Sequence, residues 1–487
     1  MKDTWLVTIG LEVHVQLKTQ TKIFCGCPVR FASAPNSNVC PVCLGLPGVL
    51  PVLNKEVFRL GLRAVLALGG APSALIRFDR KNYFYPDLPK GYQISQFIHP
   101  LGVGGLIEIG APAKGGSAAI SGGKTIRINR LHLEEDAGKL IHDQSDDSSY
   151  VDLNRAGTPL AEIVSEPDLE SPDEAYEYLT ALKAILKSIG VSECDMEKGQ
   201  LRCDANVSLR KNPKDPLGKK VEIKNLNSFK AVKASLLYEI ARQGEALDQG
   251  ESLSQETRLW DDARQKTFSM RSKEEAHDYR YFPEPDLVPF SVAQSQIDEA
   301  RVSIPELPKA KKERFMKDFG LSDYDASVLT GDIDLALFFE KCSINYKSFK
   351  KLSNWLTGPM LAYINESPSS NEFSDFTANG LIKIMKLVDD GVLSFQTAKE
   401  KVFAQMLRDK KDPETIIKAE GLEQVSDDSA LERWVAEALS ENPKVVADFK
   451  SGKESSAMFL VGQVMRKSQG KAHPQKVQDF VRKKLKE

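Results

Sequence analysis

No apolar run in this chain approaches the roughly 18–20 residues needed to cross a bilayer as a helix, so no membrane partner is expected. Neither common phosphate-binding fingerprint is present. Gly122-Gly123-Lys124-Thr125 resembles the end of a P-loop, but the required first glycine falls on Ala118. An apolar alternation at Ile126 and Ile128 follows it, which reads as a strand and not as the helix that a P-loop needs. Gly102 and Gly104 meet Ile107 where a dinucleotide fingerprint wants its third glycine. Any nucleotide is therefore bound without these loops. The first residues, Met1-Lys2-Asp3-Thr4-Trp5, show neither a signal-peptide core nor an Arg/Ser-rich transit segment. The expectation is a cytoplasmic protein.

Net charge is also small, at −2 over 487 residues. The chain as a whole is not a polyanion sponge. Its charge is nevertheless uneven. From Ser451 onward nine Lys/Arg face three Asp/Glu, a local +6, which leaves −8 for the remainder. That split points to an anionic partner at the C-terminal end. Hydrophobic residues make up 41% and charged residues 28%, which fits a soluble globular chain, and the length suggests about three domains.

Residues 5–17 are the most informative stretch. The odd positions, from Trp5 and Val7 to Val15 and Leu17, are apolar, and Thr8, Gly10, Glu12, His14 and Gln16 alternate with them. This is a strand with one face on a core. Its other face carries a carboxylate, an imidazole and an amide, each about 7 Å from the next. Such a face is either ordinary solvated surface or a site for a metal or a reacting group.

Cysteine is scarce but clustered. Four of seven, Cys25, Cys27, Cys40 and Cys43, fall within 19 residues. In a reducing compartment this favours a structural Zn²⁺ over disulfides. The first pair is Cys-x-Cys, a looser match than the second, Cys-x-x-Cys-x-Gly. Cys194, Cys203 and Cys342 are isolated and read as small buried hydrophobes.

Other segments repeat the first pattern. Leu201–Leu209 alternates Leu, Cys, Ala, Val and Leu with Arg202, Asp204, Asn206 and Ser208. Lys220–Lys224 and Thr125–Leu133 read as further strands, and glycines from 102 to 123 as hairpins. The run His132-Leu133-Glu134-Glu135-Asp136 places three acids at a strand end. They are either solvated or hold a hard cation such as Mg²⁺, because like charges in low dielectric raise one another's pKa. Ser171-Pro172 starts a helix running to about Ile189. Arg80-Lys81-Asn82-Tyr83-Phe84-Tyr85 and Arg280-Tyr281-Phe282 interleave bases and aromatics, as nucleic-acid surfaces do, although packed loops do so too. From about Gln296 helical periodicity takes over. Pro474–Leu485 is a basic amphipathic helix.

Several of these stretches together resemble a known family. They are Ile9-Gly10-Leu11-Glu12-Val13-His14, Phe78 through Asp87, Leu133 through Lys139, Asp152 through Asp168, Arg202 through Asn206, Lys224 through Phe229, Asp278 through Asp286 and Phe459 through Met465. The family is the B subunit of aspartyl/glutamyl-tRNA amidotransferase (GatB), and the match runs in order along essentially the whole chain. The resemblance implies an α+β fold: a β-rich cradle domain (1–295) with a four-cysteine zinc element, an all-α helical domain (296–408) and a small helical YqeY-like tail (409–487) that binds tRNA. It implies a heterotrimer with an amidase-type A subunit and a small C subunit. It also implies ATP- and Mg²⁺-dependent phosphorylation of the side-chain carboxylate of Glu-tRNA(Gln) or Asp-tRNA(Asn), followed by amidation with ammonia released by the amidase. Glu12, His14, Glu134 and Glu135 are then the candidates for catalysis, with Glu12, His14 and Glu134 on Mg²⁺. Asp204 and Asn206 are placed near them by their strand face. Lys81 and Arg155 are assigned to phosphate from charge alone. Cys25, Cys27, Cys40 and Cys43 are the expected zinc ligands.

Overall fold

The computed structural model describes the chain except residues 1–4, 111–122, 143–147, 271–278, 367–372, 424–427, 452–455, 469–471, 473 and 487. The glycine-rich hairpin expected up to residue 123 thus lies largely outside the described residues. Two compact units are present, Met1–Lys312 and Glu313–Glu487.

A ten-stranded sheet organises the first unit. Its main strands are β1 (Leu6–Gln16), β2 (Lys124–Glu135), β3 (Pro159–Ser165), β4 (Leu201–Arg210), β5 (Val221–Leu226), β6 (Glu256–Asp261) and β7 (Lys266–Ser269). They lie in the order β7-β6-β5-β4-β1-β3-β2, followed by the short strands Gly102–Val103 and Ala71–Pro72. β1 is central and antiparallel to both neighbours. β5 and β6 are the parallel pair. A crossover helix, Phe229–Asp248, joins them, as parallel pairing requires. The Gly-Gly-Lys-Thr segment leads into β2 as expected, and Lys124 there is paired with Glu170 and Glu174.

Period-two alternation divides the sheet into two faces. Ile9, Leu11, Val13 and Val15 of β1 are buried, as are Leu201, Cys203, Ala205 and Val207 of β4 and Ala161 and Ile163 of β3. These side chains share one core with the helices Lys55–Ala67, Pro172–Ser188 and Phe229–Asp248. In Pro172–Ser188 the residues Ala175, Tyr178, Leu179 and Leu182 are wholly buried. Leu179 and Leu182 each contribute about 1.5–3 kcal/mol by that burial. Ser171 caps the helix by accepting from the Glu174 amide, and Pro172 occupies its first turn. Gln294–Val302 packs on Lys55–Ala67, so helical character begins before the first unit ends.

The second unit is helical and has two cores. One collects Phe315, Phe339, Trp355, Leu381, Phe403 and Ile417; the other collects Leu431, Val435, Leu460, Val464, Val477, Val481 and Leu485. The expected basic tail helix is present as Pro474–Lys486, with Val477, Val481 and Leu485 inward and Arg482 and Lys483 exposed. The fold is α+β, with a sheet unit followed by helices.

Candidate active site

The face of the sheet opposite the helices carries the polar row foreseen on β1. Register decides which groups meet. His14 stands opposite Arg202 on β4 and Glu162 on β3, and Glu162 in turn stands opposite His132 on β2. Glu134 follows His132 by two residues and therefore shares its face. Four side chains from three adjacent strands converge there. His14 Nε2 lies 3.3 Å from Glu134 Oε1 and 3.4 Å from Glu162 Oε2. His132 Nε2 lies 3.0 Å from Glu162 Oε2 and 3.6 Å from Glu134 Oε2. Ser95 donates its hydroxyl to Glu134 Oε2 at 3.0 Å.

Burial alone would discharge these groups; their mutual contact reverses it. Burial presses the His14 pKa down, but the two carboxylates bonded to it raise it to about 10. Burial pushes Glu134 and Glu162 up, but the two imidazoles hold both well below the carboxylate range. His14, Glu134 and Glu162 offer one nitrogen and two carboxylate oxygens within 4.8 Å of one another, close enough for one metal ion. Such a donor set fits a divalent cation that accepts oxygen and imidazole. Beside them Lys81 keeps its ammonium: burial opposes the charge, and Tyr281, Glu134 and Tyr279 outweigh it. Its Nζ lies 4.8 Å from the Tyr279 ring centroid.

The expected residues divide between this cluster and its surroundings. His14 and Glu134 meet, as their positions suggested. Glu12 lies one row away, where Asn206 donates to it at 3.0 Å and Asp204 stands opposite in register. Burial first, then Glu162 and Glu222, raise its pKa. Lys224 sits 3.1 Å from both Asp204 and Glu222. Glu135 faces away from His14, as its odd position requires. It accepts from Lys90 at 2.6 Å and from the Ile94 amide at 2.9 Å. Arg155 braces a turn, donating to the carbonyls of Ala137 at 3.1 Å and Gly138 at 2.6 Å. Glu162 and His132 were not among the expected site residues. A lone carboxylate in the otherwise apolar run Pro159–Val164 was the signal for one, and the His-x-Glu spacing was the signal for the other.

Sequence comparison gives this geometry its setting. Residues 7–298 match the GatB/GatE catalytic domain, and residues 337–485 match the GatB domain. Curated B subunits of aspartyl/glutamyl-tRNA(Asn/Gln) amidotransferase are similar along their length. The one from Caldanaerobacter subterraneus subsp. tengcongensis is 52% identical over 98% of each chain. That from Persephonella marina is 49% identical over 98% of this chain and 99% of its own. That from Myxococcus xanthus is 48% identical over 98% of each. The chain belongs to the GatB family of amidotransferase subunits.

Within this GatB chain the four clustered cysteines form a second candidate metal site, away from the polar face. The Sγ atoms of Cys25, Cys27, Cys40 and Cys43 all lie within 4.8 Å of one another. Cys40 and Cys43 Sγ are 3.9 Å apart. A tetrahedral zinc with Zn–S bonds of about 2.3 Å needs sulfurs roughly 3.8 Å apart, so the set fits the ion. The Cys40 amide donates to Cys43 Sγ at 3.1 Å, so one backbone N–H within the Cys-x-x-Cys turn already faces a sulfur. Lys22, fully buried, brings its ammonium to 3.5 Å from the same sulfur. Gly157 packs against both side chains, and its positive φ (+82°) is the backbone conformation that calls for glycine there.

Proposed function

We propose that this chain, as the GatB component of a tRNA-dependent amidotransferase, phosphorylates the side-chain carboxylate of Glu-tRNA(Gln) or Asp-tRNA(Asn) with ATP and then directs ammonia onto it. The ammonia comes from glutamine hydrolysed by an amidase-type A subunit, and a small C subunit completes the heterotrimer. The products are Gln-tRNA(Gln) and Asn-tRNA(Asn), and the expected setting is the cytoplasm. No helix among the described residues is long and apolar enough to cross a membrane. The chemistry belongs to the sheet unit, 1–295, and the RNA body to the helical parts, 296–408 and 409–487.

The observation that carries this reading is the convergence of His14, Glu134 and Glu162 on one sheet face in a chain of this family. A carboxylate is a poor acyl donor, and phosphorylation gives it a leaving group. Phosphoryl transfer asks a protein for positioning and charge neutralisation more than for covalent help. A bound Mg²⁺ supplies that neutralisation for the transferring group. His14, giving up its Nε2 proton, would hold the ion together with Glu134 and Glu162. Lys81, charged and half-buried beside them, would add a fixed positive charge for phosphate. Glu12, Asp204 and Asn206 line the adjoining row, where Lys224 already balances two carboxylates. Their role is to orient substrate against the cluster. Glu135 and Arg155 support the site from outside it. The four cysteines hold a structural Zn²⁺ with no coordination position open for chemistry.

The test withholds glutamine. The assembled complex receives Glu-tRNA(Gln), γ-labelled ATP and Mg²⁺, and tRNA-dependent ATP cleavage is followed in wild type, Glu162→Gln and Glu12→Gln. Removing one fixed electrostatic partner costs roughly 10²–10³ in kcat, so Glu162→Gln should lose cleavage on that scale while tRNA affinity is kept. Undiminished cleavage in Glu162→Gln would remove the cluster from the reaction. Absence of cleavage in wild type calls for Asp-tRNA(Asn) as substrate.

A further inference from the structure

His132 is engaged on one side only. Its Nε2 faces Glu162 Oε2 at 3.0 Å and Glu134 Oε2 at 3.6 Å. Its Nδ1 is buried and has no hydrogen-bond partner among the described residues. The residue is 3% exposed. A buried polar atom left unbonded costs free energy, so only what Nε2 does can account for an imidazole here. What the imidazole adds is confined to the two carboxylates.

Their arrangement shows what that addition is. Glu134 gives one oxygen to each imidazole, Oε1 toward His14 and Oε2 toward His132. Glu162 is clasped at Oε2 from both sides. His132 stands opposite Glu162 in strand register and shares a strand face with Glu134, so both contacts are set by the backbone. His132 itself is outside the compact group of possible ligands, which is His14, Glu134 and Glu162.

We propose that His132 is a positioning residue of this site: its Nε2, hydrogen-bonded to Glu162 and in ion-pair range of Glu134, holds the two carboxylates in the orientation that receives a divalent cation. The inference rests on reading the cluster as a cation site. Outer partners of this kind are worth roughly 10–100-fold in metal affinity.

Mn²⁺ is the probe, titrated into the full chain assembled with its partner proteins and followed by electron paramagnetic resonance. Thermal melting is measured on the same samples. Wild type should bind an ion that Glu162→Gln does not. His132→Phe should weaken that binding about 10–100-fold, with the melting curve showing that the variant is folded at the temperature of the titration. His132→Gln, whose amide N–H reaches the position of Nε2, should keep most of the affinity. His132→Asn, whose amide reaches only the position of Nδ1, should not. If His132→Phe fails to fold, the Gln and Asn variants carry the comparison, and equal affinity in those two overturns the proposal. Wild-type Mn²⁺ affinity in a folded His132→Phe overturns it as well. A wild type that binds no Mn²⁺ overturns the cation site itself, a result distinct from either.

Discussion

Glu134 and Glu135 are neighbours in sequence with opposite surroundings. Glu134 faces two histidines; Glu135 faces Lys90 and a backbone amide on the other side of the strand. Period two alone decides this, and it was available from the sequence. Glu135 is 3% exposed, so removing it strands the Lys90 ammonium in a largely buried place. Breaking a buried pair costs about 3–5 kcal/mol. Glu135→Ala should therefore lower the urea midpoint by an amount of that order, measured by equilibrium unfolding, while Glu135→Gln costs less. Glu162 was missed. A single acid among Leu160, Ala161, Ile163 and Val164 looks like noise in a buried strand until the register places it beside His14.

At the scale of elements, β1, β4 and the helix Pro172–Ser188 were legible because each carries an unbroken period, and β2 because it carries two, Ile126 and Ile128 before a bulge and Leu131 and Leu133 after it. The short strands that cover the polar face were not, since Asp79–Asn82 and Tyr92–Ser95 span four residues each and hold no repeat. Partners brought from far along the chain were also invisible, such as Gly157 packing against Lys22 and Cys43. β2 is tied to the segment after β3 by Arg127 and Asp168, 2.7 Å apart. The Arg127 guanidinium hydrogen-bonded to Asp168 holds its carboxyl below the usual range. The folded pKa is lower than the unfolded one, so the unfolded chain binds more protons in acid. The stabilisation is present above the ordinary aspartate range and fades as pH falls through the depressed folded value. Urea midpoints of wild type and Asp168→Asn should differ at pH 6 and converge as the pH falls through the depressed folded value. The cysteine knuckle behaves as an element of its own. Chelation, or Cys40→Ser, should lower the melting temperature before it lowers ATP cleavage. Preserved melting with lost turnover would assign the sulfurs to chemistry. Backbone hydrogen bonds Ile23–Gly157 and Gly157–Asp136 connect the knuckle to the end of β2, so the effect should reach the site as looseness.

For the whole molecule, the uneven charge read from composition finds a carrier in the tail. Val477, Val481 and Leu485 close the third core, and Arg482 and Lys483 stand outside it. Deleting the tail would therefore tear that core open, and charge removal is the cleaner experiment. Arg482→Gln with Lys483→Gln should leave melting unchanged and weaken tRNA binding. Each lost phosphate contact should flatten the plot of log affinity against log salt by about 0.7–0.9, and an unchanged slope would take tRNA off this helix. The division into a sheet unit and helices could be anticipated from the change in periodicity. The placement of Gln294–Val302 with the sheet unit could not, because a helix does not announce in its own sequence which neighbour it will bury against.

β1 is hydrogen-bonded along both edges, to β4 over Leu6–Val15 and to β3 over Glu12–Gln16. It therefore behaves like a reading frame with a step of two. A side-chain replacement at an inward position, such as Val13, disturbs packing but leaves every other residue on its own face. Inserting or deleting one residue between Glu12 and His14 is a different kind of lesion. It turns everything on one side of the change over, puts an imidazole or a carboxylate into the apolar core and offers a valine to the polar face. The strand can drift in composition over time, but its length here is locked.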